Sequence, residues 1–292
     1  MRFTYVESMT DPSYYAPLAI AAEEAGYDSF AVPDNLGYAG KSAADYPYTE
    51  DGDNAFLEDK PFLEPFTVIP ALGAVTERLR FTTLVLKLPV RAPYLVAKQA
   101  ASIAVLTGNR LGLGIGLSPW PEDFALTQTE MRTRGARMEE AIEIIRGVTT
   151  GEFFEYEGRH YSIPRVKMCP VPTAPIPLLY GGHSEAALRR TVRLCDGWMH
   201  AGGPPEELTH LLNRIAELRK EYNREHDPFE IHAISADAYS VDGIRSLEDA
   251  GVTDAIVGFR DVYSVVGRDS EPLEQKIDAL RQYADTVISK VC

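Results

Sequence analysis

The tetrad Gly181-Gly182-His183-Ser184 is the segment of this chain best suited to hold an anion. Its glycines leave successive backbone N–H groups uncovered, Ser184 is placed to cap a following helix, and the positive end of that helix favours phosphate. The same residues also make an ordinary turn and cap, and both readings stay open. Asp34, with Asn35 beside it, closes the apolar run from Asp28 to Pro33. It is either the acceptor for a ligand hydroxyl or ring nitrogen, or the cap of a loop. Arg132, Arg134 and Arg137 are either an anion-pairing cluster or one solvated helix face with Glu139 and Glu140. Tyr14, Tyr15, Tyr38, Tyr46 and Tyr48 are pocket wall or plain packing. His183 reads as a loop residue that touches a ligand, His200 as a ligand contact or a satisfied strand-end histidine. No Ser-His-Asp, zinc-helix or Walker-type spacing is present. Cys169, Cys195 and Cys292 are odd in number and lack metal-type spacing, so they are expected to be thiols, with no metal site.

The elements that would position these groups centre on Arg110 to Trp120, RLGLGIGLSPW. Leu111, Leu113, Ile115 and Leu117 alternate with Gly112, Gly114 and Gly116, the period of a buried strand. Its glycine face admits a second backbone, a helix or a flat ligand. Ser118-Pro119-Trp120-Pro121 ends it. Further strands are predicted at Arg2 to Ser8, Asp28 to Pro33, Leu79 to Leu88, Leu178 to Tyr180, Asp196 to His200, Phe229 to Ser235 and Thr253 to Phe259. Each is followed by helical sequence, as in Glu64 to Thr76, Ala92 to Leu106 and Glu206 to Tyr222. Glu152 to Ile163 is a small excursion turned at Glu157-Gly158, with a proline-rich connector from Pro164 to Pro177. Eight such units without a composition break predict one α/β domain over residues 1–292, a (β/α)8 TIM barrel. Segments 36–62 and 152–177 are its insertions, at the carboxyl face of the ring.

Strand ends converge on that face. They bring together Glu7 and Ser8, Asp34 and Asn35, Lys87, Ser118 and Trp120, His183 and Ser184, and His200. A formal charge of -14 lacks the basic footprint that nucleic acid or an anionic membrane requires. The start of the chain has no apolar signal core and no run reaches the length of a membrane span, so the cytoplasm is the expected location.

Five segments carry a resemblance: EEAGYDSFAVPDN (Glu23 to Asn35), LRFTTLVLKLPVRAPYLVAKQAASIAVLTGNRLGLGIG (Leu79 to Gly116), RGARMEEAIEIIRG (Arg134 to Gly147), FEYEGRHYSI (Phe154 to Ile163) and YGGHSEAALRRTVRLCDGW (Tyr180 to Trp198). Together they resemble the bacterial luciferase-like family of flavin and deazaflavin oxidoreductases, and most closely its coenzyme F420-dependent branch. The resemblance implies a barrel, usually a homodimer, that holds F420 or FMN at the carboxyl face and acts on a small-molecule substrate. It implies a cis-peptide bulge at Leu84-Val85 under the cofactor ring and the cofactor phosphate on Gly181, Gly182, His183 and Ser184. Ser8, Asp34, Gly116, Ser118 and Trp120 would complete the cofactor site, with Asp34 and Asn35 at the catalytic position. Two departures matter. Many members have Asp-His where this chain has Asp34-Asn35, and the deazaflavin-dependent sugar phosphate dehydrogenases have glutamate where Pro119 stands. Loss of both acid/base groups argues for hydride delivery to an activated double bond rather than oxidation of a hydroxyl. An FMN-dependent monooxygenase and a barrel that binds a ligand without catalysis are the alternatives.

Overall fold

Short apolar runs rich in β-branched and aromatic residues, cut by glycine, proline and aspartate, form strands that are buried on both faces. The computed structural model describes residues 1–40, 42, 52–260, 262 and 268–291. Its strands are β1 (Arg2–Val6), β2 (Ser29–Val32), β3 (Arg80–Thr83) continued by β4 (Leu86–Lys87), β5 (Leu111–Gly116), an outlying pair β6 (Phe153–Glu157) and β7 (Ser162–Lys167), then β8 (Leu178–Gly181), β9 (Gly197–His200), β10 (Glu230–Ile234) and β11 (Asp254–Val257). All ring pairings are parallel, and β3 joins both β2 and β5, so the ring closes with eight strand positions. Helices α1 (Tyr15–Glu24), α2 (Pro65–Ala74), α3 (Pro93–Leu106), α4 (Pro121–Leu126), α5 (Arg134–Val148), α6 (Glu185–Leu194), α7 (Pro205–Glu221), α8 (Val241–Asp249) and α9 (Leu273–Tyr283) follow the strands. The chain is a (β/α)8 TIM barrel.

Two expected boundaries move. The third strand is not continuous from Leu79 to Leu88. It breaks at Leu84-Val85, whose peptide bond is cis, at the position the resemblance indicated. The excursion after α5 is a true hairpin, and its second strand runs through Pro164 to Lys167 instead of ending at Ile163. Proline is tolerated there because the pair has only two strands and its register slips between Phe154 and Tyr156, opposite that residue.

Alternation sorts the ring residues into two layers. Phe3, Tyr5, Phe30, Phe81, Leu113, Ile115, Tyr180, Trp198 and Val257 pack outward into the main core beneath the helices. Leu179, Met199 and Ile256 form a separate cluster inside the ring, with Val6, Leu84, Val85 and Ile234 against it. The glycines of β5 also face inward, and a second backbone uses the room they leave. A Cβ on Gly114 would stand 1.9 Å from the Thr83 carbonyl oxygen and 2.5 Å from Met199 Sδ. A Cβ on Gly116 would stand 2.6 Å from Val85 Cγ2. Thr83 Oγ1 donates to the Gly114 carbonyl at 2.6 Å, pinning the two strands at this close approach.

The amino end of the ring is closed by charge. Arg2 Nη2 lies 2.7 Å from Asp254 Oδ2 and 2.9 Å from Glu230 Oε2, and His232 Nε2 lies 2.9 Å from Glu230. Burial opposes ionisation of Glu230, but the His232 hydrogen bond and the charges of Arg2 and Arg80 overcome it and bring its pKa down to about 2. Glu230, His232 and Asp254 have the spacing of a metal triad, but Arg2 already occupies the position a cation would take.

The glycine wall makes a differential prediction. Gly114→Ala drives a methyl group into backbone and is expected to cost about 3 kcal/mol or more, or to abolish folding. Gly112→Ala meets nothing nearer than Thr82 Oγ1 at 3.4 Å and is expected to cost less than about 1 kcal/mol. Denaturant unfolding of the two variants measures the difference, and equal stabilities would contradict the inward path of β3.

Candidate active site

The carboxyl ends of the strands carry three connected features. The first is a ledge. Leu84 and Val85 are only partly buried, although Thr83 before them and Leu86 after them are buried. Val85 reaches two strands through their glycines, β5 at Gly116 and, one strand beyond it, β8 at Gly181, where a Cβ would meet its Cγ1 at 3.1 Å. The ledge therefore abuts the Gly181–Ser184 tetrad directly.

The second feature is that tetrad. Gly182 adopts φ 144°, open to glycine and strained for other residues. Ser184 is the N-cap of α6, its Oγ accepting from the Ala187 amide at 3.3 Å. His183 Nε2 accepts from the Ala201 amide at 3.3 Å, so its proton is on Nδ1, facing Glu207 Oε1 at 3.2 Å. His183 stacks on His200 with ring centroids 4.8 Å apart and planes 9° apart. Trp198 Nε1 ties the loop down by donating to the Gly182 carbonyl at 2.9 Å. His200 donates from Nδ1 to the Ile234 carbonyl at 2.9 Å, while its Nε2 is buried without a hydrogen-bond partner. Burial, with the neighbouring His183, lowers its pKa to about 4.

The third feature is a polar cluster around Lys87, two residues beyond Val85. Lys87 Nζ lies 2.7 Å from Asp123 Oδ2 and donates to Asn35 Oδ1 at 3.2 Å. Ser118, at φ 63°, donates from Oγ to the same Asp123 oxygen at 2.5 Å and accepts from the Trp120 amide at 3.1 Å. Asn35, Trp120 and Asp123 line a pocket with Tyr38, Asn54 and Leu57. A roomier depression between the end of α1 and Arg281 to Ser289 lies on the outer surface, away from the strand ends.

Other candidates fall into structural places. Asp34 commits both carboxylate oxygens, one to the Lys87 amide at 2.9 Å and one to Arg91 at 2.8 Å, and so holds the strand end. Glu7 accepts from Tyr5 Oη at 2.8 Å and pairs with Arg260 at 2.8 Å and Lys276 at 3.5 Å. Burial first, and then Glu7, raises the Tyr5 pKa well above its usual value. Ser8 offers its carbonyl to Arg260 at 2.5 Å. Arg137 bonds Thr133 and lies over Tyr161, on the helix-face reading. Tyr15 is core against Phe30, whereas Tyr38 lines the pocket. Tyr46, Tyr48, Cys292 and the segment 43–51 of the insertion lie outside the described residues. Sequence reading missed Asp123. An acid in the first turn of a short helix reads as a dipole partner, and only the fold brings it to Lys87.

The profile of the luciferase-like monooxygenase family matches residues 3–282. This chain belongs to that family. Over 291 residues, and the full length of both chains, the luciferase-like barrel is 56% identical to a Mycobacterium tuberculosis protein named only as uncharacterized. It is 30% identical over 213 residues to a protein of Nakamurella multipartita named F420-dependent glucose-6-phosphate dehydrogenase, covering 71% of this chain and 58% of that one. Among solved structures, the coenzyme F420-dependent tetrahydromethanopterin reductase of Methanopyrus kandleri superposes with TM-score 0.76 at 16% identity. That match covers 100% of this chain and 99% of the other, and it shows the shared fold. No helix among the described residues is long and apolar enough to cross a membrane.

A cofactor of this family's kind fits the residues present. The ledge offers an apolar seat, and the tetrad offers a capped helix start beside an unpartnered buried nitrogen on His200. Because folded His200 titrates near 4 and an unfolded histidine near 6.5, the unfolded chain takes up the proton first as pH falls. Its contribution to stability is complete above about pH 6.5 and declines toward pH 4, by roughly 3 kcal/mol. His200→Gln is expected to flatten that part of the melting-temperature profile. A variant with the slope of the wild type would contradict the buried neutral imidazole.

Proposed function

We propose that this chain is a coenzyme F420-dependent oxidoreductase that transfers a hydride between the deazaflavin and a small organic substrate. One observation carries the reading: the Val85 ledge and the Gly181–Ser184 tetrad are contiguous, so a flat ring and a phosphate tail can be held by adjoining surfaces. The F420-dependent names of the Nakamurella and Methanopyrus proteins support the deazaflavin. When bound, the cofactor supplies two-electron hydride chemistry. The protein's part is orientation and exclusion of water. Leu84, Val85 and Gly116 would support the ring, and Gly181, Gly182, His183 and Ser184 the phosphate, with His200 Nε2 accepting a hydrogen bond from the cofactor side. Ser8 sits at the mouth by its backbone, and Asp34 keeps Lys87 and Arg91 in place. Asn35, Ser118 and Trp120 would face the substrate. The second reading, an FMN-dependent monooxygenase, is favoured by the family's own description.

The same reading includes a homodimer. Helices α2 and α3 leave apolar side chains outward, with Val75 just after α2 46% exposed, Leu95 62% and Leu106 75%. A surface of this kind suits a second copy of the chain.

Equilibrium titration with oxidised F420 and with FMN tests the assignment, and F420 is expected to bind at least about tenfold more tightly. Gly182→Val forces a β-branched residue into a left-handed backbone and puts Cβ 3.0 Å from the Ala187 methyl. We expect a loss of F420 affinity of about 100-fold. Preference for FMN would move the assignment to the monooxygenase, and failure to bind either cofactor would leave a ligand-binding barrel. Leu95→Glu with Leu106→Glu is expected to yield monomers in sedimentation. An unchanged sedimentation coefficient would remove this face from the interface.

A further inference from the structure

We propose that Lys87 is the proton donor of the reaction and that the acceptor is a carbonyl-conjugated double bond whose oxygen the Lys87 ammonium holds. The inference rests on the oxidoreductase reading above. It starts from the setting of Lys87 beyond the ledge, beside Asn35 and Asp123. On β4, Leu86 packs outward into the main core while Val85 faces the interior cluster, so Lys87 shares the face of the ledge. Its register partner is Gly116, which puts no side chain in front of it. The ammonium therefore rises from the mouth one strand step beyond the ledge.

Its setting is that of a held donor. An ammonium has three N–H groups. One faces Asp123 Oδ2 at 2.7 Å and one Asn35 Oδ1 at 3.2 Å. The third has no protein acceptor among the described residues. Both partners line a small pocket with Tyr38 and Trp120, so the ammonium is held against the wall of that pocket. The lysine is 7% exposed and the Asp123 side chain 3%, a degree of burial that surface ion pairs do not have. Asp123 is itself fixed by Ser118 at 2.5 Å. Asp123 and Asn35 are thus positioning residues, and Lys87 is the catalytic one.

The step balances. The hydride, two electrons and one hydrogen, would be supplied to the β-carbon of the acceptor by the reduced cofactor on the ledge, which would be oxidised. The C=C π bond breaks, and the resulting enolate takes one proton from Lys87 Nζ, so the acceptor gains two hydrogens and is reduced. The neutral amine then regains its proton from water.

The test uses 2-cyclohexenone with the F420-loaded protein. Lys87→Met should keep F420 affinity within about threefold. It should weaken enone binding to the oxidised-F420 complex, where no reduction can occur, by about tenfold, and slow enone reduction by dihydro-F420 about 100-fold or more. Lys87→Arg should restore enone binding but not reduction, because a guanidinium holds a hydrogen bond yet does not release its proton. Wild-type binding and rates in Lys87→Met would overturn the proposal. So would loss of F420 affinity in that variant, which would make Lys87 a cofactor ligand. A wild-type protein that binds F420 and neither binds nor reduces the enone would overturn the acceptor class. A wild-type protein that binds no cofactor would overturn the oxidoreductase reading and this inference with it.

Discussion

The approach of β3 to β5 at Gly114 governs the mouth of this barrel. The Thr83 carbonyl occupies the space of a missing Cβ, and the Thr83 hydroxyl bonds the Gly114 carbonyl. Only hydrogen at Cα lets two backbones come so near inside a closed ring. The displacement carries the chain inward just before Leu84 and Val85, and Gly116 on β5 and Gly181 on β8 give Val85 room. A ring with ordinary side chains at these positions would fill its own mouth. This one keeps a ledge with a cation, Lys87, a short step beyond it.

Around that ledge, charged groups come in fixed pairs: Asp34 with Arg91, Lys87 with Asp123, Glu7 with Arg260. Buried pairs of this kind add little net stability over apolar packing, because desolvation offsets attraction. Their effect is geometric. Asp34 receives the Lys87 amide as well as the Arg91 guanidinium, so it fixes the path of β4 and the loop after it together. At the other end of the ring Arg2, Glu230, His232 and Asp254 close the amino face. The chain's excess negative charge thus coexists with a mouth whose cations are held in place.

Much of this arrangement was legible in the residues. Strand and helix positions followed the period of two and the proline and glycine stops, and Gly112, Gly114 and Gly116 announced a close approach before the partner was known. The choice among partners was not legible, because Thr83 reaches Gly114 only through ring closure. Asp34 looked equally suited to a ligand and to a loop, and its two protein partners favour the loop. Asp123 gave no local signal, since it meets Lys87 and Ser118 only once α4 is laid over the mouth. Pro164 argued against a strand, but a two-stranded ribbon with a register slip accommodates it.

The central claim is that the ledge at Leu84-Val85 and the tetrad at Gly181–Ser184 hold one cofactor between them. The most direct measurement is a crystal structure of the protein with oxidised F420. The deazaflavin ring is expected in van der Waals contact with Val85 and the phosphate within hydrogen-bond reach of the Gly182–Ser184 backbone. A cofactor lodged elsewhere in the mouth, with Val85 uncovered or the tetrad still closed on Glu207, would contradict it.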